Sequence, residues 1–281
     1  LHGLFFEMVN GQPADLQPRK NTMIVQPGAS AQFDLTANEP GDWAFHCHLL
    51  YHMHGGMMQT VTVMGPDENP ISPDPKVREK AKEKLLWILD RAADLNSQVL
   101  CGPYHSAFAT FASRAPIEDE YNWSAEVLHS VADHAQKLGV LMTPEALNRF
   151  ECYLANTMEQ LDYLLGKVNH PNVQAMFDTH HANMEEKKLG LAIEKIAPRL
   201  GHFHISENDR GTPGSGHVPW DETFATLKKV GYQGWLTIEG FTRNDPAFAN
   251  SIGVWREFSA PWDMAENGYK LIREMGEKYG L

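Results

Sequence analysis

Val173-Gln174-Ala175-Met176-Phe177-Asp178 is a short, mostly apolar run that ends on a carboxylate, and a stretch of helical periodicity at 184–197 follows it. The same alternation runs through the second part of the chain. Strands are predicted at 98–102, 140–147, 173–178, 201–206 and 235–239, and helices at 76–94, 122–139, 153–167, 184–197, 220–230 and 261–278. Short strands separated by helices make βα units and a parallel sheet, so the expected fold class is α/β.

Nearer the N-terminus the pattern differs. Thr22 to Val25, Ala31 to Leu35 and Met58 to Met64 are short, β-branched or alternating segments separated by Gly, Pro and Asn, the pattern of a β-sandwich. Between the two regimes, Gly65-Pro66-Asp67-Glu68-Asn69-Pro70-Ile71-Ser72-Pro73-Asp74-Pro75 carries four prolines in eleven residues, which excludes regular helix and central strand. The expected organisation is a β-rich segment over 1–65, a linker over 66–76 and an α/β domain over 77–281.

Composition narrows the partners. The 281 residues are 42% hydrophobic and 21% charged, ordinary for a soluble chain with a sizeable core. The formal net charge of -12 disfavours nucleic acid and anionic membrane surfaces. The densest basic stretch, Lys76 to Lys84, is interrupted by Glu79 and Glu83 at helical spacing and reads as a solvated face. Three cysteines, Cys47, Cys101 and Cys152, form no CxxC pair, so neither a disulfide framework nor a zinc ribbon is indicated, and a reducing, cytoplasmic compartment is expected. No run of 18 apolar residues suggests a transmembrane helix, and the start at Leu1 without an initiator Met leads us to expect a chain that begins inside a longer sequence.

In a parallel α/β barrel the strand C-termini converge on one face, so polar residues there are candidates for a site. Four of the five predicted strands end that way, on Glu145, Asp178, His204 and Glu239. Any one strand-end carboxylate is commonly just a cap or a solvated group. Three carboxylates and an imidazole on one rim repel one another and are costly to desolvate unless a cation neutralises them, and oxygen-dominated ligation suits Mn²⁺, Mg²⁺ or Co²⁺ better than structural zinc. The pairs His180-His181 and His202-His204 offer more imidazoles than one site uses, so His180 and His202 are read as packing residues.

Several motifs carry a resemblance: Glu145-Ala146-Leu147-Asn148-Arg149-Phe150-Glu151, Asp178-Thr179-His180-His181-Ala182-Asn183-Met184-Glu185-Glu186, Gly201-His202-Phe203-His204, Pro219-Trp220-Asp221-Glu222, Gly231-Tyr232-Gln233-Gly234 and Gly253-Val254-Trp255-Arg256. In order and spacing, from about Ile71 onward, the chain is similar to the ketose 3-epimerases of the xylose-isomerase-like barrel family. The resemblance implies a TIM-barrel-like domain acting on a small-molecule sugar. It implies Glu145, Asp178, His204 and Glu239 as ligands of Mn²⁺ (or Mg²⁺ or Co²⁺), with Glu145 and Glu239 doubling as the acid/base pair. It also implies that Glu151, His181 and Arg210 contact substrate oxygens. Inverting carbon 3 of a ketose needs one carboxyl group on each face of the enediolate and a cation on its developing charge. Aldose–ketose or hydroxypyruvate-type isomerisation would use the same site, and a metal-binding fusion protein that turns nothing over is the reading from a different class. The loop from Gly211 to His217 could close over a sugar or be a plain connection.

His46-Cys47-His48-Leu49-Leu50-Tyr51-His52-Met53-His54-Gly55-Gly56-Met57 resembles the C-terminal cupredoxin motif of multicopper oxidases. That resemblance implies Cys47 and His52 at a type-1 copper with Met57 as its axial partner, and His2, His46 and His48 at a trinuclear copper cluster. The remaining histidines of both centres are missing from this chain, so no functional copper is expected. The epimerase resemblance likewise lacks its first β/α units, whose place the cupredoxin-like fragment takes. The two open sheet edges that result must be covered, by the N-terminal strands or by a second copy of the chain in a homo-oligomer.

Overall fold

The structure, a computed structural model, describes residues 6–8, 19–20, 33–35, 60–244 and 246–281. The chain divides into two compact units, Leu1–Thr60 and Val61–Leu281. In the first, three short strands form an antiparallel sheet in the order β2-β1-β3: β1 (Phe6–Met8), β2 (Arg19–Lys20) and β3 (Phe33–Leu35). The predicted strand Thr22 to Val25 lies outside the described residues.

The second unit is built from βα units. β4 (Thr60–Val61) leads into it, and β5 (Val99–Gly102), β6 (Leu141–Pro144), β7 (Ala175–Asp178), β8 (Leu200–Ile205) and β9 (Leu236–Ile238) follow. β5 pairs with β6, β7 with β8, and β8 with β9, all in parallel. The parallel bridges Met142↔Val173 and Glu145↔Met176 join β6 to β7. The α/β, TIM-barrel-like reading therefore holds for this unit.

The longer helices each bury an apolar stripe. In Pro75–Asp94 the buried residues are Ala81, Leu85, Ile88, Leu89 and Ala92, a spacing of three and four that keeps them on one face. Its start is set by Asp74, whose Oδ1 accepts from Lys76 N at 2.9 Å, and by Pro75 in the first turn. Helix Glu118–Leu138 buries Leu128 and Val131, Met158–Val168 buries Leu161 and Leu165, and Trp220–Val230 buries Phe224 and Leu227. At the sheet, Phe177 and Phe203 stack with centroids 5.0 Å apart. Removing one fully buried leucine from such a core costs roughly 2–5 kcal/mol.

Three differences from the sequence reading have local causes. The region expected as a linker, 66–76, is packed: Ile71 is buried in the core, and Asn69 Oδ1 accepts from Ile71 N and Ala107 N at 3.2 and 3.0 Å. Residues read there as part of the β-rich segment join the parallel sheet, since Thr62 N donates to Cys101 O at 3.1 Å and Met64 bridges Ala107 in parallel. Gly102 permits this approach, for it has φ +116° and a Cβ there would stand 2.5 Å from Thr62 O. The helix predicted over 184–197 is two, Thr179–Glu185 and Leu189–Ile196. The break falls at Glu186, which is extended and whose Oε1 accepts from Met158 N at 2.7 Å. The helix predicted from 153 starts at Met158 because Thr157 and Gln160 cap one another.

Candidate functional site

Glu145 follows the last residue of β6, Asp178 ends β7, His204 is the penultimate residue of β8, and Glu239 follows β9. Parallel register aligns them: Asp178 faces His204, and His204 faces Thr237. One oxygen from each carboxylate and one imidazole nitrogen lie within 4.8 Å of one another. His204 Nδ1 is 3.3 Å from Glu239 Oε2 and 3.6 Å from Asp178 Oδ2. Glu145, Asp178 and His204 are buried and Glu239 is half-buried. The structure thus brings together the four residues read from the strand ends.

Arg210 enters this cluster. The resemblance implies a substrate contact for it, and its guanidinium is turned inward and buried. Nη1 donates to Asp178 Oδ2 at 2.8 Å, to Glu239 Oε2 at 2.6 Å and to Ser206 Oγ at 3.1 Å. A backbone φ of +65° accompanies this placement. Nη2 lies 2.8 Å from His181 Nε2. His181 Nδ1 accepts from Asn148 N at 3.1 Å, and its Nε2 stands 3.4 Å from Glu145 Oε1.

Glu151 accepts from Asn148 Nδ2 at 2.8 Å, and donor atoms of Glu151, His180 and His181 also lie within 4.8 Å of one another. His180, read as a packing residue, has its Nδ1 3.2 Å from Glu207 O, and His202 is buried.

Electrostatics set two carboxyl groups apart. Burial, then Glu239 and Asp178, push Glu145 well above the ordinary value of 4.5. Burial opposes ionisation of Asp178 as well, but Arg210, His204 and His181 hold it well below 3.8. Burial, with Arg210, lowers His180 to about 4, and burial with His204 lowers His202 to about 3. The stability consequences of the two carboxyls have opposite sign. Asp178 contributes stability that is present above 3.8 and lost as pH falls through its depressed value. Glu145 contributes stability that is present below 4.5 and lost as pH rises through its raised value. Relative to Glu145→Gln, the urea midpoint of metal-free wild type is therefore expected to slope downward as pH rises from 4.5, the lowered histidines, which act in the opposite sense, being common to both proteins. A slope unchanged in the Gln variant would assign it to another group.

Several contributors were not legible from their neighbours in sequence. Buried Glu207 accepts from Gly214 N at 2.7 Å, Val218 N at 3.1 Å and Trp220 Nε1 at 3.2 Å, so the glycine-rich loop is pinned rather than a plain connection. Gly216 has no room for a side chain there, since a Cβ would meet Asn208 Oδ1 at 2.0 Å. Asn148 orients His181 and Glu151, and Ser206 Oγ donates to Asp178 Oδ2 at 2.8 Å.

The donor set fits a divalent cation. Glu145 Oε1 is buried without a hydrogen-bond partner, and a side-chain cation already bridges Asp178 and Glu239. Three carboxylates and one imidazole are the ligand types of Mn²⁺, Mg²⁺ or Co²⁺ sites.

The family described as Xylose isomerase-like TIM barrel matches residues 51–258. The chain belongs to this family. It is 35% identical over 210 residues to D-psicose 3-epimerase of Ruminiclostridium cellulolyticum, covering 73% of this chain and 71% of that protein. It is also 35% identical over 210 residues to L-ribulose 3-epimerase of Methylomonas sp., covering 72% of each. Among solved structures, an L-ribulose 3-epimerase superposes with a TM-score of 0.74 at 28% identity, over 78% of this chain and 75% of that one. By family the chain is a sugar isomerase/epimerase, and its described part carries a cluster able to hold a metal ion. A second family, Multicopper oxidase, matches residues 1–67. Most of that stretch, with His2, His46, Cys47, His48, His52 and Met57, lies outside the described residues. No described helix is long and apolar enough to cross a membrane.

Proposed function

We propose that the chain inverts carbon 3 of a free ketose, with Glu145, Asp178, His204 and Glu239 holding Mn²⁺, or Mg²⁺ or Co²⁺ in its place. The observation that carries this reading is the convergence of those four side chains, from four successive strand ends, within 4.8 Å. A divalent cation held there supplies a Lewis acid for charge that develops on the sugar's carbonyl oxygen. The protein supplies the proton chemistry. One of Glu145 and Glu239 takes the proton from carbon 3, leaving an enediolate, and the other returns a proton to the opposite face, so carbon 3 is inverted and no atom is gained or lost. The raised pKa of Glu145 suits a carboxyl that spends part of the cycle protonated. Arg210 and His181 adjoin the four-residue cluster and Glu151 adjoins His181, and these three hold the sugar's oxygens, with Asn148 fixing two of them.

The relatives named for D-psicose and L-ribulose support a ketose as substrate. Incubation of the protein and Mn²⁺ with a panel of free ketoses, resolved by chromatography, is expected to yield the carbon-3 epimer, with turnover abolished by chelator and restored by Mn²⁺. Formation of an aldose in place of an epimer would move the protonated carbon and favour isomerisation. Tight metal binding without turnover of any sugar would favour a binding role. The copper ligation implied for residues 1–64 stays outside this reading, and a cytoplasmic location and a homo-oligomer covering the open strand edges are part of it.

A further inference from the structure

A second set of donor residues shares one member, His204, with the oxygen-rich cluster. Cys101 lies in β5, while His202 and His204 are two residues apart in β8 and so face the same side of the sheet. One donor atom from each of the three lies within 4.8 Å of the others, and all three residues are buried. The two imidazole rings stand 5.0 Å apart at an interplanar angle of 78°. The chemistry of this set differs from its neighbour's: a thiol and two imidazoles, against three carboxylates and one imidazole. Soft sulfur with nitrogen selects Zn²⁺ and Cd²⁺, whereas oxygen-rich sets suit Mn²⁺ and Mg²⁺.

We infer that Cys101, His202 and His204 form a site for a thiophilic divalent cation, Zn²⁺ or Cd²⁺, that competes with the oxygen-rich site for His204. Ligation replaces the S–H bond of Cys101 by a sulfur–metal bond, and the thiol proton leaves to solvent; nothing is oxidised or reduced. Three protein ligands leave a fourth position for water, as in an open tetrahedral site. An ion bound there uses the imidazole that the oxygen-rich cluster needs, so a thiophilic metal inhibits by withdrawing a ligand. The competition rests on the function proposed above; the existence of the thiolate site does not.

The test uses Cd²⁺ as a spectroscopic probe on Cys47→Ser protein, because His46-Cys47-His48 offers another thiolate beside histidines. Adding Cd²⁺ is expected to raise an intense ultraviolet sulfur-to-cadmium charge-transfer band, which Cys101→Ser abolishes. His202→Asn is expected to weaken Cd²⁺ binding at this band by more than the roughly 10- to 100-fold that loss of an outer partner costs. Absence of the band from folded Cys47→Ser protein at saturating Cd²⁺, or its persistence after Cys101→Ser, overturns the site. Should Cys101→Ser not fold, the band in the parent protein and its response to His202→Asn still decide. Competition is read separately, from the paramagnetic resonance of Mn²⁺ released by Zn²⁺. Release should need at least about 10-fold more Zn²⁺ once Cys101 is serine. Equal release with and without the thiol overturns the competition while leaving the thiolate site standing.

Discussion

Glu239→Gln is expected to lower turnover by about 10²- to 10⁴-fold while the protein still binds Mn²⁺, the loss typical of removing a general acid/base. The amide keeps the size of the side chain and one carbonyl oxygen for weak ligation but cannot carry the proton. Glu239→Ala should lose metal affinity as well, since Glu145, Asp178 and His204 alone remain of the four. Glu145→Gln should behave like Glu239→Gln but fail on the opposite epimer, because each carboxyl serves one face of the sugar. The decisive measurement is exchange of the carbon-3 proton with deuterated water alongside Mn²⁺ affinity. A Gln variant that binds metal and exchanges the carbon-3 proton of one epimer but not of the other supports the two-glutamate mechanism. Near wild-type turnover in either Gln variant eliminates that mechanism and leaves only the metal site.

The second large effect concerns the cation the chain supplies for itself. Arg210 Nη1 bridges Asp178 and Glu239 at 2.8 and 2.6 Å, while its Nη2 lies 2.8 Å from His181 Nε2. Carboxylate charge therefore holds it in place, and a divalent cation that neutralises those carboxylates removes the attraction. Arg210→Met is expected to destabilise metal-free protein by about 3–5 kcal/mol, the cost of leaving a buried charge without its partner. Mn²⁺ should restore most of that loss and bind the variant more tightly than wild type, because no internal cation has to leave first. Urea unfolding with Mn²⁺ and with chelator measures both terms. Metal-free Arg210→Met as stable as wild type would rule out the counter-cation role.

The rim ligands were legible because their signal is periodic. An apolar run such as Val173 to Phe177 fixes which residue ends the strand, and a parallel sheet then carries Asp178 to the same edge as Glu145, His204 and Glu239. What surrounds them was not legible, because its partners are distant in sequence or of unremarkable type. Glu207 stands in Ser206-Glu207-Asn208-Asp209-Arg210, a string of loop-like residues, and takes its meaning only when Gly214, Val218 and Trp220 fold back onto it. Cys101 closes no motif in the sequence; it acquires two imidazole neighbours only through the placement of β5 and β8. The helix break near Glu186 depends on Met158, 28 residues away, and no local propensity records that bond.

The position of β9 has a consequence for how the site opens. Among the described residues it pairs with β8 alone, and Leu236, Thr237 and Ile238 are all only half-buried, so its local unfolding costs less than that of β7 or β8. Glu239 rides on that strand, tied to it by its own amide donating to Ile205 O at 3.2 Å. The last ligand of the cluster therefore sits on its most readily exchanging amides. A cation held by Glu239 is therefore expected to steady this edge, and slowed hydrogen exchange across 236–239 would mark it.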